Sequence, residues 1–131
     1  MIDISNIEKA KKEIKNCSER PVVVKAQDDE FNRKILEYGN FDILLLDSGL
    51  NHVLARIAAR NKIAIGIDLN ELRKLGKREK AIILGKIIQN IKICRKANAK
   101  FVILNFKDKR DASSFFISIG ASTKQVGEAI S

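Results

Sequence analysis

"FDILLLDSGLNHVLARIAARNKIAIGID", Phe41 to Asp68, decides the fold. It opens on an apolar run, passes through Gly49 and Asn51, and then repeats apolar residues at Val53, Leu54, Ile57 and Ala58. That spacing belongs to one face of a helix, with Asn51 as its N-cap. A second apolar run, "IAIGID", follows directly. Two strands that are apolar throughout, joined by a helix, belong to a parallel sheet whose faces are covered.

The same alternation extends in both directions. "MIDI" reads as a short strand, followed by a helix from about Asn6 to Cys17. "PVVVKA" is a β-branched run entered through Pro21. "DDEFNRKILEYG" carries Phe31, Ile35 and Tyr38 at helical spacing, acids in its first turn and Gly39 as its stop. Beyond Asp68 a long helix is expected from about Lys77 to Asn98, with Leu84, Ile87, Ile88, Ile91 and Cys94 as its apolar stripe. "KFVILNF" is the next strand, and "DASSFFISIG" and "STKQVGEAIS" read as two short helices. With no linker or low-complexity stretch, residues 1–131 make a single α/β domain, either part of a barrel or an open sheet.

Composition narrows the class. The chain has 131 residues, 25 Lys and Arg against 16 Asp and Glu, and a formal charge of +9. Such an excess repels itself in the free protein and is offset by a polyanionic partner. Aromatics are only 5% and tryptophan is absent, so base stacking is disfavoured and phosphate contact is favoured. The cations fall in groups: Arg56, Arg60 and Lys62 on one helix and its exit; Arg73, Lys74, Lys77, Arg78 and Lys80 before the long helix; Lys107, Lys109 and Arg110 after the last strand. The second and third groups follow strands and so belong to the C-terminal rim, whereas the Arg56 group runs down a helix flank. Taken singly, each is a solvated surface charge; the grouping carries the information. No apolar run is long enough to span a bilayer and "MIDISNIEKAKKEIKN" has no apolar centre, so a cytoplasmic protein is expected.

The chemistry of catalysis is thinly represented. The glycines are scattered, with neither a GxGxxG nor a Walker loop. His52 is the only histidine, so a multi-histidine metal centre cannot be built. Asp47 and Asp68 end successive strands and form a weak magnesium candidate or, more simply, cap helices; Asp42 opens its strand at the opposite rim. Ser48, His52 and Asp47 lack a nucleophile elbow, and Ser48-Gly49 reads as turn chemistry. Cys94 reads as a buried thiol and Cys17 as an exposed one; two cysteines make no disulfide framework. A small metal-dependent hydrolase derived from a phosphatase-type barrel stands as the alternative to an RNA-binding protein.

"LNHVLARIAARNKIAIGIDLNELRKL" resembles the ribonuclease P protein component 3 family of archaea, related to the thirty-kilodalton subunit of the eukaryotic enzyme. Asn51, His52, Val53, Leu54 and Ala55 match that family's Asp-His-Val-Leu-Ala, with asparagine for aspartate. Arg56, Arg60 and Lys62 match its basic helix, and "KREKAIILGKIIQNIKICRKANAKFVI" is similar to its long helix and next strand. "KRDASSFFISIGAS" is similar to a Pro-Arg-Asp segment that runs to an Ile-Gly turn, with Lys109 in place of proline and Arg110, Asp111 and Gly120 at matching spacing. The resemblance covers the chain from about Val22 to its end.

The resemblance implies a shortened, partial TIM-like barrel of the polymerase-and-histidinol-phosphatase type, about two βα units shorter than the family pattern. It implies a non-catalytic, RNA-binding subunit of ribonuclease P, which supports the catalytic RNA in removing the 5′ leader of precursor tRNA. The implied partners are that RNA, precursor tRNA and an RRM-like protein subunit, with Mg2+ serving the RNA and no cofactor held by the protein. Arg56, Arg60, Lys62, Arg73, Lys77, Arg78 and Arg110 become candidate RNA contacts, and His52, Asn51 and Asp111 candidate orienters of a loop or partner. Exposed sheet edges further suggest a homodimer. "LNFKDK" departs from the family's small residues after the strand, so Asn105 and Phe106 alter that rim.

Overall fold

The structure is a computed structural model and describes residues 1–46, 49–105 and 110. The order is α1 (Ile7–Asn16), β1 (Val23–Lys25), α2 (Asp29–Tyr38), β2 (Ile43–Leu45), α3 (His52–Arg60), β3 (Ala64–Asp68), α4 (Leu69–Arg73), α5 (Lys77–Ala97) and β4 (Phe101–Leu104). The strands pair in parallel in the order β1-β2-β3-β4. The α/β architecture read from Phe41–Asp68 is therefore the architecture found. "MIDI" contributes one parallel bridge, Ile2 to Val24, rather than a full strand.

Strand order decides how the helices lie. Each right-handed crossover moves the chain one strand further in the same direction, so successive helices cover one face of the sheet. Accordingly α1 packs on α2, α2 on α3, and α3 on α5. The order never reverses, so the described sheet has no crevice of the doubly wound type. It is wound as a barrel sheet is wound.

Register divides the strands into two faces. Val24, Leu44, Ile65 and Phe101 align across all four strands and are fully buried. With Ile35, Leu36, Ile87, Ile91 and Cys94 they form the core between sheet and helices. Lys25, Leu45, Gly66 and Val102 align on the other face, where Leu45 and Val102 are only half-buried.

The helix signals work as their chemistry predicts. Asn6, Asp28 and Asn51 each accept the backbone N–H three residues on, at 3.1, 2.8 and 2.8 Å. Gly39 closes α2 at φ 70°. Two features depart from the sequence reading. The Leu69–Arg73 segment, for which the sequence reading gives no element, is the short helix α4. In α5 the buried residues are Ile87, Asn90, Ile91, Ile93 and Cys94, while Leu84 and Ile88 are half-buried. The buried positions run from Ile87 to Cys94, whereas Ile82 nearer the start of the helix is 54% exposed. Cys94 is buried as expected; Cys17 is half-buried, its Sγ 3.6 Å from the Glu19 carbonyl. The two helices read into "DASSFFISIG" and "STKQVGEAIS" lie outside the described residues. No described helix is long and apolar enough to cross a membrane.

Candidate nucleic-acid interface

Helix α3 carries the motif on which the reading rests. Leu54, Ala55, Ile57 and Ala58 are buried, so His52, Val53, Arg56 and Arg60 form its outer face. Linking two parallel strands, α3 must run from the C-terminal rim of the sheet back to the N-terminal rim. Asn51 and His52 therefore stand at the C-terminal rim, Arg56 on the flank, and Arg60 and Lys62 at the N-terminal rim.

Arg73, Lys77 and Arg78 belong to the opposite end. They follow β3 directly, at the close of α4 and the start of α5, and all are exposed. Arg73 donates to Asn70 Oδ1 at 2.8 Å, and Lys74 lies 3.4 Å from Glu71. The candidate RNA contacts thus divide between two rims and a flank. Arg110 is exposed. Asp111, Lys107 and Lys109 lie outside the described residues, as do Asp47 and Ser48.

The loop before α3 is held by a residue the sequence reading missed. Asn90 of α5 is buried and accepts the Leu50 N–H at 2.8 Å. Asn51 caps α3, as expected. His52 is exposed and, among the described residues, makes no hydrogen bond or ion pair, so bracing of this loop falls to Asn90. Asn32 does similar work in α2, accepting Gln27 N at 2.8 Å. A polar residue on an otherwise apolar helix stripe was the available signal.

Asp68, at the end of β3, acts as a cap. Asp68 accepts the Asn70 N–H at 2.8 Å and Asn105 Nδ2 at 2.9 Å. Asn105 reaches it from a left-handed backbone, φ 61°. This is the position at which the sequence departs from small residues after the strand. Asp42 lies at the other rim, where it accepts Val22 N at 2.7 Å and faces Arg20 at 3.9 Å. Among the described residues, no three of His, Cys, Asp and Glu come together as a metal ion requires.

Beside Asp68 a cleft of about 390 Å³ opens between the C-terminal strand ends and the α4–α5 corner. Leu45, Ile67, Leu72, Leu75, Ile83 and Ile87 line it, with Asp68, Glu71, Glu79 and Lys25 at its margin. An apolar wall with more acids than bases repels phosphate and accepts an apolar side chain.

No family model matches the sequence. Ribonuclease P protein component 3 of Methanococcus maripaludis is 31% identical over 105 residues, covering 76% of this chain and 45% of that protein. The chain is homologous to ribonuclease P protein component 3. The protein of that name from Methanosarcina acetivorans is 33% identical over 100 residues, covering 72% of this chain and 40% of its own length. That from Methanococcoides burtonii is 41% identical over 56 residues, covering 39% and 23%. The chain thus spans less than half the length of the component 3 proteins it matches. A chain of the cryo-EM structure of archaeal ribonuclease P with mature tRNA superposes with a TM-score of 0.84 and 23% identity. That match covers 97% of this chain and 62% of the other, and at that identity it is a likeness of fold. The fold of that chain therefore accommodates nearly all of this one.

Proposed function

We propose that this protein is an RNA-binding subunit of ribonuclease P that supports the catalytic RNA in removing the 5′ leader of precursor tRNA. The observation that carries the reading is the match to component 3 proteins over 76% of the chain. The charge of +9 and the exposed cations of α3 support it physically, since Lys and Arg side chains displace counterions from RNA phosphates. In this reading Mg2+ serves the RNA, and the protein acts through folding and affinity rather than through its own catalytic group. Arg56, Arg60, Lys62, Arg73, Lys77, Arg78 and Arg110 are the proposed phosphate contacts.

The protein partner is the RRM-like subunit. The cleft beside Asp68 offers it an apolar seat that phosphate would avoid. A sheet wound in one direction also leaves edges, and closure into a partial barrel by a second copy is part of the same proposal. A cytoplasmic location follows from the proposed work on precursor tRNA.

Reconstitution tests the reading. The chain and the RRM-like subunit are added to the cognate RNA at low magnesium, and the rate of leader removal is measured. An increase over RNA alone is expected, and an unchanged rate sinks the proposal.

A further inference from the structure

The candidate cations drawn from the sequence do not mark a single surface, but topology assembles one that they only half describe. At the N-terminal rim, α3 turns into β3 and α5 turns into β4. These strands are neighbours, with Ile65 opposite Phe101 and Ile65 N bonded to the Lys100 carbonyl at 2.8 Å. The two turns therefore lie side by side, about one strand spacing apart.

Both turns are built alike. Ile63 N bonds to the Ala58 carbonyl and Lys62 N to that of Ala59; Ala99 N bonds to the Cys94 carbonyl and Asn98 N to that of Arg95. Each is a Schellman closure whose pivotal residue is left-handed, Lys62 at φ 57° and Asn98 at φ 58°. Asparagine suits that backbone, whereas lysine has no local reason to occupy it. A cation held at a disfavoured backbone position points to a use for its charge.

Arg60, Lys62, Arg95, Lys96 and Lys100 meet at these two turns, and all are exposed. Residues 48–67 and 80–107 contain no aspartate or glutamate. Of the acids towards this rim, Asp42 is engaged with Val22 and Arg20 on the β1 side, and Glu37, next to the Leu36 carbonyl that Asn61 bonds, pairs with Arg33 at 3.3 Å. Cations at helix C-termini suit the helix dipole, which explains Arg60, Arg95 and Lys96 in part. The dipole does not explain Lys62 or Lys100, which lie beyond the helices, or the lack of acids over both segments.

We propose that this rim is a binding surface for the RNA backbone, in which Lys62, Lys96 and Lys100 take successive phosphates and Arg60 and Arg95 flank them. The proposal rests on the RNA-subunit reading and locates its main contact. The surface reads charge rather than sequence, since no described aromatic side chain stands among these cations.

The test compares two triple variants of the full chain, each losing three charges. One is Lys62→Asn, Lys96→Ala, Lys100→Ala; the other is Lys9→Ala, Lys12→Ala, Lys15→Ala, three exposed lysines of α1 that belong to no proposed contact. Binding of precursor tRNA and of a short RNA duplex is followed against salt, with thermal melting to verify folding. The first triple should weaken binding to both RNAs at least about tenfold and reduce the salt slope by about two to three, with the second changing each far less. An equal or larger loss in the second triple overturns this surface while leaving the RNA-subunit reading intact. Equal displacement of RNA by polyglutamate also overturns it, in favour of an acidic protein partner. If the unaltered chain binds neither RNA, both proposals fall.

Discussion

Leu50 N lies 2.8 Å from Asn90 Oδ1, a bond between the loop entering α3 and the middle of α5. Both residues are buried, so removing the acceptor leaves a backbone N–H without water or partner. Asn90→Ala should cost about 1–3 kcal/mol in urea unfolding. His52→Ala, on the exposed face of α3, should stay within about 0.5 kcal/mol. The reverse ranking would return the bracing role to the histidine.

Much of this fold is legible in residues whose spacing reports burial. Asn51, Asp28 and Gly39 mark helix ends because each supplies a local bond or backbone freedom that needs no tertiary partner. The stripe of α5 is less legible because burial there depends on where α3 crosses it, which local periodicity does not encode. The site is harder still. Lys62 and Lys100 are far apart in sequence and meet only because β3 pairs with β4. Asn90 reads as a polar interruption until the loop that it holds is placed beside it.

Gly66 is fixed by close approach within the sheet, since a Cβ added there would lie 2.9 Å from Ile43 Cγ2 and 3.0 Å from Val102 Cγ2. Both are branch methyls on stiff side chains, which yield only by leaving their rotamers. Gly66→Ala should therefore destabilise by about 1–3 kcal/mol, measured by chemical unfolding. Gly49→Ala, where a Cβ meets nothing within 4 Å, is the matched control and should change little.

Burial pushes the Cys94 thiol up to about 12. The folded protein therefore keeps this proton where the unfolded chain, near 9, has lost it. Stability is unaffected below the unfolded value and falls as pH rises towards the folded one, by at most about 1.4 kcal/mol per pH unit. Unfolding curves of the wild type and Cys94→Ala should converge or cross over that window. A thiol reagent at neutral pH should modify Cys17 first and Cys94 only on unfolding.

Lys62 sets stability against binding at one residue. Its φ of 57° costs an L-residue about 1 kcal/mol that glycine does not incur. Lys62→Gly removes that strain and one cation together, so the melting temperature should rise while affinity for RNA falls. Lys62→Ala separates the two effects, since alanine keeps the backbone strain and loses only the charge. It should bind RNA as weakly as the glycine variant yet melt below it. Thermal melting and salt-dependent RNA titration of the three proteins decide the matter. Full affinity in both variants would mean that the lysine at this turn has no part in holding RNA.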